Sequence, residues 1–118
     1  MDLNFVPPAF GITAIGASHG FDCYESTSGF IIWIDGKGVM IDPPPFTSFL
    51  LEKAGIPACL VDKLILTHCH ADHDAGTLHK LIESSPVEFI TTKTIMESFI
   101  RKFSAQCGIQ SNELEQLF

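Results

Sequence analysis

The apolar runs of this sequence fall far short of the roughly 20 residues that a transmembrane helix needs, so no membrane segment is expected. Basic residues are few: seven Lys and Arg stand against 14 acids, for a formal charge of −7, and no basic stretch is longer than Arg101-Lys102. Neutralising phosphates takes clustered Lys and Arg, so nonspecific nucleic-acid binding is disfavoured. The four cysteines, Cys23, Cys59, Cys69 and Cys107, show no paired spacing, and Met1-Asp2-Leu3-Asn4 opens no charged-then-apolar signal region. Reduced thiols in a cytoplasmic protein are the simplest expectation. Internal repeats and low-complexity tracts are also missing, and Pro43-Pro44-Pro45 reads as a rigid corner too short to be a linker. What is present is apolar content: with 46% hydrophobic residues in 118, the chain can build one domain with a real core.

The pattern of that content is α/β. Residues 11–16 read as a first strand after Pro7-Pro8, and residues 17–28 as a polar loop. Residues 28–35 and 39–42 form two apolar strands around Gly36-Lys37-Gly38, a hairpin signal. Pro45 suits the first turn of a helix, with Phe46, Phe49 and Leu50 as its apolar face and Gly55 as its end. Residues 64–67 read as a buried parallel strand, residues 77–84 as a helix carrying Leu78, Leu81 and Ile82, and residues 87–91 as a further strand. Thr94-Ile95-Met96-Glu97 resembles a capping box, opening a helix whose Ile95, Met96, Phe99, Ile100 and Phe103 make a core stripe. This alternation predicts a mixed sheet with helices on one face.

The chemistry concentrates in Thr67-His68-Cys69-His70-Ala71-Asp72-His73-Asp74-Ala75-Gly76, directly after Leu64-Ile65-Leu66. Neutral imidazole is the commonest side-chain ligand for transition metals, and carboxylate completes a shell suited to zinc. In near-extended backbone, residues two apart share a face, so His68 and His70 can close on one ion while Cys69 points elsewhere. Asp72 and His73 then follow at a turn into a helix, and the layout suits two adjacent ions better than one. A solvated turn is the bland alternative, but three protonated imidazoles so close would repel one another. Asp74 is equally well read as a helix N-cap, and His79 as a surface residue. Cys69 reads as a small residue packed inward beneath the site, with metal capture as the rival role. The loop holding His19 and Tyr24 mixes aromatic, imidazole and small residues, as a substrate-contacting loop does.

His68-Cys69-His70-Ala71-Asp72-His73 resembles the His-x-His-x-Asp-His signature of the metallo-β-lactamase superfamily, placed after a strand and before a helix as in that family. Val39-Met40-Ile41-Asp42 resembles the family's strand ending in an Asp that supports the metal site from behind the ligands, although Pro43-Pro44-Pro45 stands where many members have a small residue and glycine. The resemblance implies half of an αββα sandwich, with His68, His70, Asp72 and His73 as metal ligands, Asp72 also catalytic, and Asp42 behind them. It implies one or two zinc ions, iron or manganese being alternatives, and hydrolysis by metal-bound hydroxide, since zinc lowers the pKa of bound water to about 7. An intracellular thioester or phosphodiester hydrolase of a small-molecule substrate is the expected activity.

The family's further metal ligands lie downstream of its signature, and here no histidine follows His79. The expectation is therefore a single domain over residues 1–118, the N-terminal half of the fold. The amphipathic segment at residues 112–118, where the chain stops, favours truncation. The site would be completed by the C-terminal half or by a second copy of the chain. A non-catalytic half-fold acting as an interaction or regulatory module is the main rival, and a redox protein using iron is a third.

Overall fold

The computed structural model describes residues 5–17, 27–83 and 87–116, the side chains of residues 71–73 and 75 excepted. Five strands lie in the order β1-β2-β3-β4-β5: β1 Phe10–Gly16, β2 Gly29–Ile34, β3 Lys37–Ile41, β4 Val61–Ile65 and β5 Glu88–Ile90. The first three pair antiparallel and the last three parallel, which is the mixed sheet expected. Four helices join them: α1 Thr47–Lys53, α2 Ala71–Glu83, α3 Lys93–Cys107 and α4 Ser111–Glu115. Among the described residues, no helix is long and apolar enough to cross a membrane.

Because side chains alternate across a strand, the register sorts the sheet into two faces. One cross-strand row runs Thr13, Ile31, Met40, Leu64, Phe89. Ile31, Met40 and Leu64 of that row are fully buried in one core with Leu51, Leu78, Leu81, Phe99, Phe103 and Leu114 of the helices. Trp33, on the same face, is wholly enclosed and donates its indole N–H to Thr13 Oγ1 at 2.8 Å. The neighbouring row runs Ala14, Phe30, Ile41, Ile65, Ile90, and beside it Ile12, Ile32 and Val39 pair in line. This second face is nearly as apolar but has no cover among the described residues: Ile12 is 67% exposed and Phe10 75%. Helices on one face, the expected arrangement, thus leave the other face of the sheet bare among the described residues.

Four local expectations are corrected. The hairpin turns at Asp35-Gly36, with φ of 48° and 81°, and Lys37 and Gly38 belong to β3. A two-residue loop with both φ values positive matches strand twist, and Asp tolerates the left-handed region. The fourth strand runs Val61–Ile65, starting straight after a 3-10 turn at Ala58–Leu60 and ending earlier than 67. The first helix does not use Phe46, Phe49 and Leu50 as its face, because Phe46 has φ 62° and the helix starts only at Thr47. Its inward residues are Thr47 and Leu51, one turn apart, while Phe46 and Phe49 are exposed. The cap of α3 is Thr92, whose side chain accepts from the Ile95 N–H, two positions before the expected box.

The core stripe of α3 holds in Phe99 and Phe103, and Phe99 meets Phe89 of β5 at 5.2 Å between ring centroids. Helix α2 starts six residues before the expected one, and Ile82 faces outward, 54% exposed. Ser48 of α1 donates to the Glu83 carboxylate of α2. Lys80 of α2 is enclosed and donates to the Ala58 carbonyl at 3.2 Å; burial pushes its ammonium below the ordinary lysine range.

Helix α2 lies hard against the proline corner. Gly76 donates its N–H to the Pro43 carbonyl at 3.1 Å, and a Cβ on Gly76 would stand 2.1 Å from the Pro44 oxygen and 2.4 Å from that of Pro43. Helix propensity alone says Gly76→Ala stabilises by about 1 kcal/mol. The close approach reverses the sign: we expect a net loss of about 1–3 kcal/mol, as for overpacked sites, read from denaturant unfolding. A more stable variant would show that the helix and corner are not in contact.

Candidate metal centre

The signature occupies the junction between β4 and α2. Leu66 still donates to the Ile90 carbonyl at 3.2 Å, after which the chain leaves the sheet. The His70 carbonyl accepts the N–H of Asp74 at 2.9 Å, the first bond of α2. His68 and His70 therefore stand on the non-helical side of the junction, with ring centroids 4.6 Å apart and planes nearly perpendicular. Asp72 and His73 fall in the first turn of α2. Their side chains lie outside the described residues, as do His19 and Tyr24 entirely. Among the described residues no group of three or more His, Cys, Asp or Glu gathers around a point.

Asp42 lies at the end of β3, beside the start of the histidine segment. It is 6% exposed, with φ 48°, and its backbone N–H donates to the Ile65 carbonyl at 2.9 Å, extending the β3–β4 ladder by one bond. Its carboxylate then takes over from the ladder. Oδ1 accepts the Thr67 N–H at 2.8 Å and Oδ2 accepts the Thr67 hydroxyl at 2.5 Å. The same hydroxyl oxygen lies 2.9 Å from His68 Nδ1.

These contacts fix the imidazole tautomer. A carboxylate only accepts, so the single hydroxyl proton of Thr67 goes to Asp42. The Thr67 oxygen must then accept from His68 Nδ1–H, which leaves Nε2 of the neutral ring with a lone pair. A metal-ligating His usually has its second ring nitrogen held in this way. The donor set fits a transition metal: two adjacent imidazoles, one of them oriented, with a carboxylate and a third imidazole next in the chain.

Asp74 is not an N-cap. It lies inside α2, wholly buried, and its carboxylate is paired with Lys102 of α3. Cys69 takes the inward reading: its Sγ donates to the Ile95 carbonyl at 3.6 Å, and burial, then the Asp74 charge, push its thiol above the usual range. That direction works against thiolate ligation at neutral pH. His79 is exposed, as expected. Sequence reasoning missed Thr67, although a hydroxyl directly before the first histidine is a legible signal. It also missed Lys102, which lies 28 positions from its partner and has no local mark.

Residues 24–107 match the model of the family described as the metallo-beta-lactamase superfamily. The chain is 51% identical over 114 residues to cGMP-dependent 3′,5′-cGMP phosphodiesterase A of Dictyostelium discoideum, covering 97% of this chain and 13% of that protein. It is 47% identical over 117 residues to the cAMP/cGMP-dependent phosphodiesterase B of the same organism, of which it covers 11%. Ribonuclease Z of Streptomyces coelicolor is 30% identical over 53 residues, covering 45% of this chain and 18% of that protein. Among solved structures, human tRNase Z, short form, superposes with a TM-score of 0.64 at 21% identity, over 81% of this chain and 39% of that one. A likeness at that identity concerns the fold.

Replacing Thr67 by Val removes the hydroxyl but keeps the shape. Nitrogen-15 spectra of the histidine side chains should report His68 protonated at Nδ1 in the unaltered chain and a mixture of tautomers in Thr67→Val. Zinc affinity should fall by roughly 10–100-fold, the usual cost of losing such a partner. An unchanged tautomer would remove Thr67 from the site.

Proposed function

The chain belongs to the metallo-beta-lactamase superfamily, and on that premise we propose that it is the metal-binding N-terminal half of a domain that hydrolyses the phosphodiester of 3′,5′-cyclic nucleotides. The observation that carries the reading is the line from Asp42 through Thr67 to His68, which ties one imidazole in place beside the ring of His70. Phosphodiester is favoured over thioester because relatives matched over nearly all of this chain are named for cyclic-nucleotide phosphodiesters. The chain spans little more than a tenth of those relatives' length, so the activity of a whole protein is part of the proposal.

His68, His70, Asp72 and His73 would hold one or two ions, zinc first, with iron or manganese as alternatives. Such an ion supplies a Lewis acid and a water of lowered pKa. The chain's own residues have separate tasks. Asp42 and Thr67 hold the His68 ring in one tautomer, and Asp72 orients the attacking water and carries the catalytic role. His19 and Tyr24 are proposed substrate contacts. The bare sheet face, with Phe10, Ile12 and Ile34 each more than half exposed, supports a missing cover: the C-terminal half of the domain, or a second copy of the chain. A cytoplasmic location completes the proposal.

In a protein carrying this chain with the rest of its domain, Asp72→Ala should lower turnover of 3′,5′-cGMP by roughly 100-fold or more. Affinity for the first ion, held by the histidines, should fall much less than turnover does. His68→Ala should lose metal and turnover together. Equal loss of metal and turnover in Asp72→Ala would overturn the role given to Asp72. A zinc-loaded protein inactive on cyclic nucleotides would favour the non-catalytic module.

A further inference from the structure

Asp74 comes directly after the signature and is turned into the interior against α3. Its side chain is 1% exposed, and both carboxylate oxygens accept from Lys102 Nζ, at 2.8 and 2.6 Å. The ammonium of Lys102 has a third N–H, and the carbonyl of Cys69, the residue between the two histidines, lies 3.4 Å from it. One residue on, the His70 carbonyl takes the backbone N–H of Asp74. The Cys69 thiol donates to Ile95, also on α3. Two consecutive carbonyls and one side chain of the histidine segment are therefore held from below, and Asp74 or α3 supplies every partner.

A buried ion pair is a poor device for stability alone, since apolar residues of like volume often serve as well or better. It does provide direction. An ammonium clamped by two carboxylate oxygens can present its remaining N–H at one angle, and here that angle meets the peptide joining His68 to His70.

We propose that Lys102, clamped by Asp74, is a positioning residue that holds the Cys69 carbonyl and so sets the spacing of the His68 and His70 rings for a shared ion. The inference rests on the metal reading above, and its test separates the two. The double variant Asp74→Leu with Lys102→Met removes both charges at once, which spares the fold an unpaired buried ion. It should melt near the unaltered chain, while the nitrogen-15 shifts of the His68 and His70 rings move and zinc affinity falls roughly tenfold. Asp74→Asn, of nearly the same volume, is the second variant, and loosens the clamp should the double variant not fold. Ring shifts unchanged from the unaltered chain in a folded variant overturn the positioning role, whatever the zinc result. If the shifts move but the unaltered chain takes no zinc, the clamp stands and the metal reading fails.

Discussion

The carboxylate of Asp42 joins the ends of two parallel strands at the point where their backbone ladder stops. Beyond Ile65 the chain must leave the sheet to form the histidine segment, so the N–H of Thr67 loses its strand partner, and Asp42 supplies one. Two bonds to a charged acceptor are worth about 1.5–3 kcal/mol each. They offset a left-handed backbone at Asp42, about 1–2 kcal/mol for an ordinary residue and less for Asp. The rest follows in order. The turned backbone leads into Pro43-Pro44-Pro45, the carbonyls of that corner receive the Gly76 N–H and the Thr47 hydroxyl, and α2 and α1 are thereby set against one loop.

The two faces of the sheet show why its sequence reads as buried throughout. Phe30, Ile32 and Ile34 alternate with Ile31 and Trp33, so an unbroken apolar run covers both sides of β2. Among the described residues only one side meets helices. An apolar row from Phe30 through Ile41 and Ile65 to Ile90 is the signature of a sheet built to be covered twice. On the outer face, polar groups collect at the β4–β5 edge, where Lys63 pairs with Glu88.

Much of this was legible in the residues. Ligand-like spacing needs no structural context, so the candidate stretch from His68 to His73 stood out, and the hairpin announced itself through Gly36-Lys37-Gly38 to within a residue or two of its turn. The failures share a cause. A helical wheel assumes that the helix has begun, so it could not see that a left-handed Phe46 delays α1 and turns two phenylalanines outward. Thr92 and Thr94 are both good caps by composition, and only the end of β5 at Ile90 decides between them. Asp74 resembles a cap by position and is a buried ion-pair partner by topology, because α3 returns beneath it.

That return also settles a question of charge. A carboxylate buried beside the histidine segment adds negative potential there, and in a low-dielectric interior such a charge cannot stand alone. Lys102 cancels it locally, at bonding distance on both oxygens. The same pairing explains why the tie to α3 is ionic: an ammonium can reach past its carboxylate to a main-chain carbonyl, whereas a leucine in its place could fill the volume and hold nothing. Asp42 and Lys102 thus restrain the segment from Thr67 to Cys69 by hydrogen bonds, the first through the N–H and hydroxyl of Thr67 and the second through the Cys69 carbonyl.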